Sequence, residues 1–381
     1  MRRGCRMLAA ALALWLCVFQ GGCARKELHQ RILIQGIGVD REAEGYKVTV
    51  RASTSTEDQG EELFTCRGET VLEALSSLSL STGREPFYAH NYLVVFGEGC
   101  GEEGLDRSLD FFIRYYNTRP AVGLYFTQGS AAEVLSFEQD GALFPMQDLQ
   151  ALSQTGEENG ASVSTDLLEF VNSSRRPGSS PVLPLLQVEG EQVSLEGAAY
   201  FREHVLAGTL SLQETRGYLA AQGDLSGGEW VVTGPGLGTV TLSLSGGKGK
   251  KSVSLSQEGK PVFLVQAEVN ADVSSVSGEE DLGEDFYQRL EETASQQLQE
   301  GMEALWEKAA RRSHCDLLGL GNLLSQQFPR VWEELEDIWD QEMARCSVEF
   351  QSAVRVARME QNTVPVGEPV RWERGRGPGL P

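Results

Sequence analysis

The sequence is poor in the side chains that most often carry chemistry. Its four histidines, His29, His90, His204 and His314, stand far apart, so neither a His-x-x-x-His pair nor a Cys–His zinc spacing is present. No Asp-x-Asp-x-Asp-Gly calcium loop occurs, and no Gly-x-Ser-x-Gly nucleophile elbow. Cysteine is also scarce. Of seven, Cys5 and Cys17 fall in the expected leader and Cys23 follows it, which leaves Cys66, Cys100, Cys315 and Cys346. None of these has Cys-x-x-Cys spacing. Four thiols are too few to staple a chain of this length, so they are expected as buried free thiols. With 55 acidic residues, neighbouring carboxylates arise by chance and argue for no acid–base pair. No catalytic residue, metal ligand or cofactor is assigned.

Basic residues are outnumbered, 33 against 55 acidic, for a net charge of −22. Phosphate contacts need clustered Lys and Arg, so nucleic acid is excluded as a partner. Attraction to an anionic lipid surface needs a polybasic segment and is excluded for the same reason. Long hydrophobic runs are absent too. The longest, Met7 to Phe19, falls short of the roughly 20 residues that span a bilayer. Its flanks carry the information: Arg2, Arg3 and Arg6 precede it, and Gln20-Gly21-Gly22-Cys23 follows. Charge, short apolar core and small-residue junction form a secretion signal. A cysteine at the junction reads as a lipoprotein signal, with Cys23 acylated and made the new N-terminus, although Gln20 stands where the usual lipobox has Leu. The expected leader is residues 1–22; beyond it 30 basic residues face 55 acidic ones, a net −25.

The remaining length exceeds one ordinary core. Arg31 to Asp40 reads as a buried strand in which Gly36 and Gly38 allow close backbone approach. Tyr46 to Val50 alternates as a second strand. Val71, Leu72, Leu75 and Leu78 recur at helical spacing, Tyr92 to Phe96 is an apolar strand, and Gly104 to Tyr116 is a helix. Val122 to Phe126 restarts as a strand, so strands and helices alternate in a mixed α/β layer. Residues 144–171 read as interrupted helix, and the Ser-, Pro- and Gly-rich 172–184 as a domain boundary whose Arg175-Arg176 pair is solvated. Val193 to Phe201 is a strand. The run Gly246-Gly247-Lys248-Gly249-Lys250-Lys251 fails phosphate-loop spacing and is expected as a hairpin tip between strands 239–244 and 252–255. Phe263, Val265, Ala267, Val269 and Ala271 line one face of a strand. Residues 281–312 form the longest helix, with Phe286, Leu290, Leu298, Met302, Leu305, Trp306 and Ala309 as its apolar stripe. After the tight connection 315–321 comes a helix with Pro329 in its first turn and Val331, Trp332, Leu335, Ile338, Trp339 and Met343 inward. A strand at 347–359 and a disordered tail from 366 complete the chain.

An ordered set of these segments resembles the Ger(x)C family, the lipoprotein C-subunits of bacterial spore germinant receptors. It comprises ILIQGIGVD (Ile32 to Asp40), AHNYLVVFGEG (Ala89 to Gly99), LDRSLDFFIRYYNTRP (Leu105 to Pro120), QGSAAEVL (Gln128 to Leu135) and Gly197-Ala198-Ala199-Tyr200-Phe201. His204 to Leu210 and Glu214-Thr215-Arg216-Gly217 continue it. Its most specific part is Cys315-Asp316-Leu317-Leu318-Gly319-Leu320-Gly321, then Phe328-Pro329, Trp332 and Trp339. The resemblance implies an α+β protein of three α/β-type domains with mixed sheets packed by helices. Its parts would be an N-terminal domain to 135, a middle region to 190 and a C-terminal domain to 365. It implies a lipid-anchored protein on the extracytoplasmic face of the inner spore membrane. Its partners would be integral-membrane A- and B-type receptor subunits, and its contact with the bilayer the acylated Cys23. No enzymatic activity is implied. Asp316, Gly319 and Gly321 are candidates for a partner-contact turn, against the plainer reading of a helix-terminus acceptor and two positive-φ hinges. The alternative is a substrate-binding lipoprotein of an importer, which needs two similarly built lobes.

Overall fold

The computed structural model describes residues 31–53, 60–115, 118–190, 192–277 and 282–357; the signal, Cys23 and the tail from 366 lie outside them. Two sheets organise the chain. The larger begins with β1 (Arg31–Glu42), β2 (Gly45–Ser53) and β3 (Glu62–Gly68), paired antiparallel in succession. On the other side of β1, β5 (Leu93–Phe96), β6 (Gly123–Thr127) and β9 (Val182–Glu189) run parallel, and β10 (Gln192–Arg202) and β11 (Val205–Leu210) finish it antiparallel. The order is β11-β10-β9-β6-β5-β1-β2-β3, with the short β4 (Glu85–Phe87) beside β1. Helices cover both faces, so successive residues of a central strand are buried in opposite directions. Val94 and Phe96 enter one core while Leu93 and Val95 enter the other. This is why the central strands read as unbroken apolar runs rather than as alternation.

One face packs against α1 (Val71–Thr82), α3 (Asp106–Arg114) and α6 (Leu167–Arg175). The other receives α4 (Ala131–Leu135), which follows β6, and α5 (Met146–Glu158), which follows the β7–β8 pair (Glu138–Gln139, Ala142–Leu143); α2 (Glu98–Glu103) comes directly after β5. The two glycines of β1 matter here. A Cβ on Gly38 would lie 3.1 Å from the Ala131 carbonyl, and one on Gly36 would strike Met146. Beside them Arg51 is fully buried: its guanidinium pairs with Glu61 at 2.6 Å and donates to the carbonyls of Leu135 (2.7 Å) and Phe144 (3.0 Å). Glu61 in turn accepts from the Met146 amide at the start of α5. Three oxygens thus receive the buried guanidinium, and the carboxylate among them supplies the opposite charge that its burial requires.

The smaller sheet is β12 (Glu229–Gly234), β13 (Gly238–Leu255), β14 (Pro261–Ser277) and β15 (Ser347–Ala357), the last pair parallel. α7 (Leu212–Gln222) and α8 (Glu284–Leu305) lie on it, with α8 continuing as a π-helical turn to Arg312. The two helices cross at Gly217 and Gly301, where a Cβ on Gly217 would fall 2.6 Å from the Gly301 backbone. Alternation along β14 is strict, with Phe263, Val265, Ala267, Val269 and Ala271 all buried. Glu284 and Asp285 open α8, and Arg311 and Arg312 close its π turn, as the helix dipole favours. Three more helices, α9 (Leu320–Gln327), α10 (Pro329–Leu335) and α11 (Trp339–Met343), bridge from α8 to β15.

Several expectations are corrected. The glycine–lysine run is not a hairpin tip: residues 238–255 form one strand, bulged between Leu244 and Gly246 and paired to β14 throughout. The glycines serve close approach. A Cβ on Gly249 would lie 2.6 Å from the Ala221 carbonyl and from the Gly223 amide, at the C-terminus of α7. The 172–184 segment does not separate sheets, because it ends α6 and leads into β9 inside the larger one. Ile338 is not inward; it is 46 % exposed in the turn between α10 and α11. The long polar gap 154–164 still extends α5 to Glu158, while α2, α7 and β12 had no apolar period strong enough to announce them. Cys66, Cys100 and Cys315 are buried free thiols, and Cys346 is half-buried.

Replacing Gly249 by Ala should lower stability by about 1–3 kcal/mol through overpacking against backbone that cannot yield. Gly60→Ala, where a Cβ meets nothing within 4 Å, serves as the neutral control. Urea midpoints followed by circular dichroism separate the two; equal midpoints would remove the packing role assigned to Gly249.

Candidate functional site

In open α/β sheets the carboxyl ends of the parallel strands are the usual ligand crevice. Here that place is filled from within. Asp40, near the end of β1, accepts from the Ala131 amide at 2.6 Å, the Ala132 amide at 2.9 Å and the Ser130 hydroxyl at 2.9 Å. It therefore holds the start of α4 where a ligand would sit. Gly99, Gly101 and Gly104 spell Gly-x-Gly-x-x-Gly after β5, yet Gly101 packs on Phe126 and α2 begins with Glu98. A carboxylate at that helix start opposes a phosphate. Among the described residues no group of three or more His, Cys, Asp and Glu side chains is placed to hold a metal.

The candidate turn of 315–321 is a junction. After the π turn, the Cys315 amide donates to Ala309 and Asp316 enters the interior with 3 % exposure. One carboxylate oxygen accepts from the Leu320 amide (3.0 Å); the other accepts from the Gly321 amide (2.7 Å) and the Trp339 indole N–H (3.0 Å). Every partner donates, which fits an ionised carboxylate at the start of α9. Burial pushes the Asp316 carboxyl above its ordinary range, and these donors offset part of that rise. Its backbone is held as well: the Asp316 amide donates to Ser180 Oγ (3.0 Å), and its carbonyl accepts from the Ser180 amide (2.9 Å).

The next two carbonyls are taken by other elements. Leu317 accepts from Gln222 Nε2 of α7 at 3.0 Å, and Leu318 from Lys251 Nζ of β13 at 2.8 Å. Lys251 also donates to Gln222 Oε1. Three consecutive carbonyls thus bind the loop before β9, α7 and β13 to one turn. Gly319 has φ +67°, as expected for a hinge. Gly321 is not a positive-φ residue. It is the point of closest approach, where a Cβ would lie 2.6 Å from both Gly178 Cα and Trp339 Nε1. Trp332 and Trp339 meet edge-to-face at 5.4 Å above it. Asp316 and Gly321 are buried and face inward, so of the three candidates Gly319 alone borders solvent.

Gly319 lines a polar cleft of about 400 Å³. The larger-sheet unit supplies Glu169 and Arg176 to its wall; the smaller-sheet unit supplies Tyr218, Asp224, Lys251 and Asn322. Reading the sequence missed Ser180, Gln222 and Lys251. Ser180 sits in a stretch that looks like linker, Lys251 in one that looks like a loop tip, and no periodicity marks either contact.

Asp316→Asn should cost about 2–3 kcal/mol, because its NH2 group would face donors and strand buried N–H groups. Urea unfolding of the variant measures it, and an unchanged midpoint would show that the carboxylate is not what holds the turn.

Comparison with known proteins places this junction in a family context. Residues 24–188 match the family model of the spore germination protein N-terminal domain, and residues 196–360 match the spore germination B3/GerAC-like C-terminal model. Spore germination protein B3 of Bacillus subtilis (strain 168) is 22% identical over 347 residues, covering 87% of this chain and 92% of the relative. Spore germination protein KC of the same organism is 23% identical over 373 residues, covering 88% and 91%. The crystal structure of the GerBC protein superposes with a TM-score of 0.55 at 18% identity, over 84% of this chain and 96% of that one, and shows the shared fold. The first model ends within β9 and the second begins within β10, its antiparallel neighbour in the same sheet. With both models matched along nearly all of its described length, the chain belongs to the GerAC-like family of spore germination proteins.

Proposed function

We propose that this chain is a lipid-anchored subunit of a nutrient germinant receptor, acting by assembly with integral-membrane A- and B-type subunits rather than by catalysis. Family membership supports a role in spore germination, and the match of both family models in sequence order is the observation that carries the reading. The finer claims rest on chemistry. Cys23 follows a secretion-type segment and is the proposed acylation site. No helix among the described residues is long and apolar enough to cross a membrane. The net −25 beyond the leader gives anionic headgroups no reason to attract the body. Retention at the outer surface of the inner spore membrane then falls to the acyl chains and to protein partners. Around the junction, Gly319 and the exposed part of α9 are the proposed partner-facing positions, with Asp316 and Gly321 fixing their shape from beneath. The importer reading loses support, because its two lobes would be built alike, whereas the two units here are a nine-stranded and a four-stranded sheet.

Deleting the gene should slow nutrient-triggered germination several-fold and leave spore yield unchanged, measured as loss of optical density after nutrient addition. Normal germination in every nutrient, in a strain lacking paralogues, would overturn the reading. Cys23→Ala should move the protein from the membrane to the soluble fraction in a host without the partner subunits. Membrane retention there would refute the lipid anchor.

A further inference from the structure

The cleft beside Gly319 holds opposite charges that do not meet. Lys251 is half-buried on its floor, where β13 passes the C-terminus of α7. Its ammonium touches two neutral oxygens, Leu318 O and Gln222 Oε1. Among the described residues no carboxylate lies within 4.0 Å of it. Glu169 of α6 and Asp224 after α7 stand exposed at the rim of the same cleft, and neither has a cation within that distance. An ammonium and carboxylates sharing one small cavity ordinarily close into an ion pair. Here local bonds hold them apart: Lys251 is tied to the 316–318 turn, and Glu169 is fixed on the first turn of α6 behind the Asp166 cap. The slot therefore carries one ammonium at its floor and, at its rim, two carboxylates beside the exposed Arg176, whose guanidinium lies more than 4.0 Å from either.

We propose that this cleft is a binding site for a small zwitterion, seated with its carboxylate on Lys251 and its ammonium toward Glu169 and Asp224. The chemistry follows from the lining. An incoming carboxylate gives the half-buried ammonium an opposite charge to pair with, which its two neutral carbonyl partners do not provide. An incoming ammonium offsets the mutual repulsion of the rim carboxylates. Hydroxyl and amide groups on Tyr218, Ser179 and Asn322 offer neutral contacts in between, and the apolar share of the wall is small, which disfavours a greasy ligand. Titration tendencies agree with the geometry. Burial lowers the Lys251 pKa, with Asp316 and Asp224 opposing it, and burial raises that of Glu169, aided by Asp166, Glu157 and Asp224. Both charges would be better satisfied with a partner. Since Glu169 comes from the larger-sheet unit and Lys251 from the smaller, a bound zwitterion would bridge the two. The site stands on the cleft alone and does not depend on the receptor reading.

The test is saturation-transfer NMR and calorimetry on the full chain in detergent, with glycine, β-alanine and 4-aminobutyrate as zwitterions of increasing charge separation. Acetate and methylammonium are the single-charge controls. At least one zwitterion should bind saturably and about tenfold more tightly than either control. Lys251→Met should abolish that binding and Glu169→Gln should weaken it. Because Glu169 is exposed, its variant should unfold at the wild-type urea midpoint, so a fold defect is not confused with a binding defect. Absence of saturable binding by all three zwitterions overturns the proposal. Acetate binding as tightly as the zwitterions overturns it too, in favour of a plain anion site. Spore germination assays play no part in the outcome, so this inference and the receptor reading fail separately.

Discussion

One buried carboxylate sets the geometry on which the rest of the C-terminal half depends. Asp316 collects two helix-start amides and an indole, and each donor comes from a segment that would otherwise end in unsatisfied backbone or an orphaned N–H. Leaving water is costly for an ion, so the turn must close tightly to repay it. That requirement explains the glycines. Gly319 takes a conformation with φ +67° that other residues rarely adopt, and Gly321 has no side chain because Gly178 and two tryptophans already fill the space. The constraint then reaches the larger sheet. Ser180, bonded twice to the Asp316 backbone, fixes the entry of β9, and β9 is the strand joining the parallel core to β10 and β11.

A second constraint concerns sheet edges, which offer unpaired backbone to any passing strand. The smaller sheet is closed by its own helix on both sides. On β15, the Val354 amide donates to Ser295 Oγ and the Val356 amide to Glu291 Oε1, both at 2.8 Å. On β12, the Thr233 carbonyl accepts from Gln297 Nε2 at 3.1 Å. All three acceptor or donor side chains belong to α8. The polar residues that interrupt its hydrophobic stripe are thus edge caps as well as solvent contacts. At the far end of the larger sheet, β11 is covered in part by Ser313 Oγ, which donates to the Ala207 carbonyl and contacts the Tyr200 hydroxyl at 3.0 Å. Helix α8 and the turn after it therefore do for the edges what Asp316 does for the joint.

How much of this was legible in the sequence follows from range. Periodicity reports which face of an element is buried, so β1, β2, α1, α3, β14 and α8 could be read directly. Glycine was legible where it interrupts an otherwise apolar strand, as at Gly36 and Gly38, or a turn between helices, as at Gly319. It misled where no apolar neighbours frame it. The 246–251 run looks like a loop because six residues rich in glycine and lysine carry no apolar signal, yet Gly249 is dictated by the end of α7, nearly thirty positions earlier. Ile338 went wrong for the opposite reason: the helix was read through Glu336 as one unit, whereas a 3₁₀ turn there rotates the face. The Ser180–Asp316 contact joins positions 136 residues apart. No window of sequence contains both, and two serines in a Pro-Gly-Ser stretch are what a linker also looks like. Resemblance to a family marked Asp316 as notable but not why, since the indole of Trp339 and the loop of Ser180 are facts of the folded chain.

The same geometry bears on how the two units can work together. They share a junction in which three successive carbonyls are each committed to a different element. Sliding one unit past the other would expose Asp316 or strand the Ser180 pairs, and a buried carboxylate without partners costs more than exposed contacts can return. Large relative motion is therefore disfavoured, and the two units behave as one body at this face. Local adjustment is different. Gly319, Asn322 and the end of the Glu169 side chain border solvent rather than the joint, so they can respond to an occupant without breaking it. A site built this way separates its tasks: the buried turn supplies a fixed frame, and the cleft beside it carries the charges that are free to be satisfied from outside.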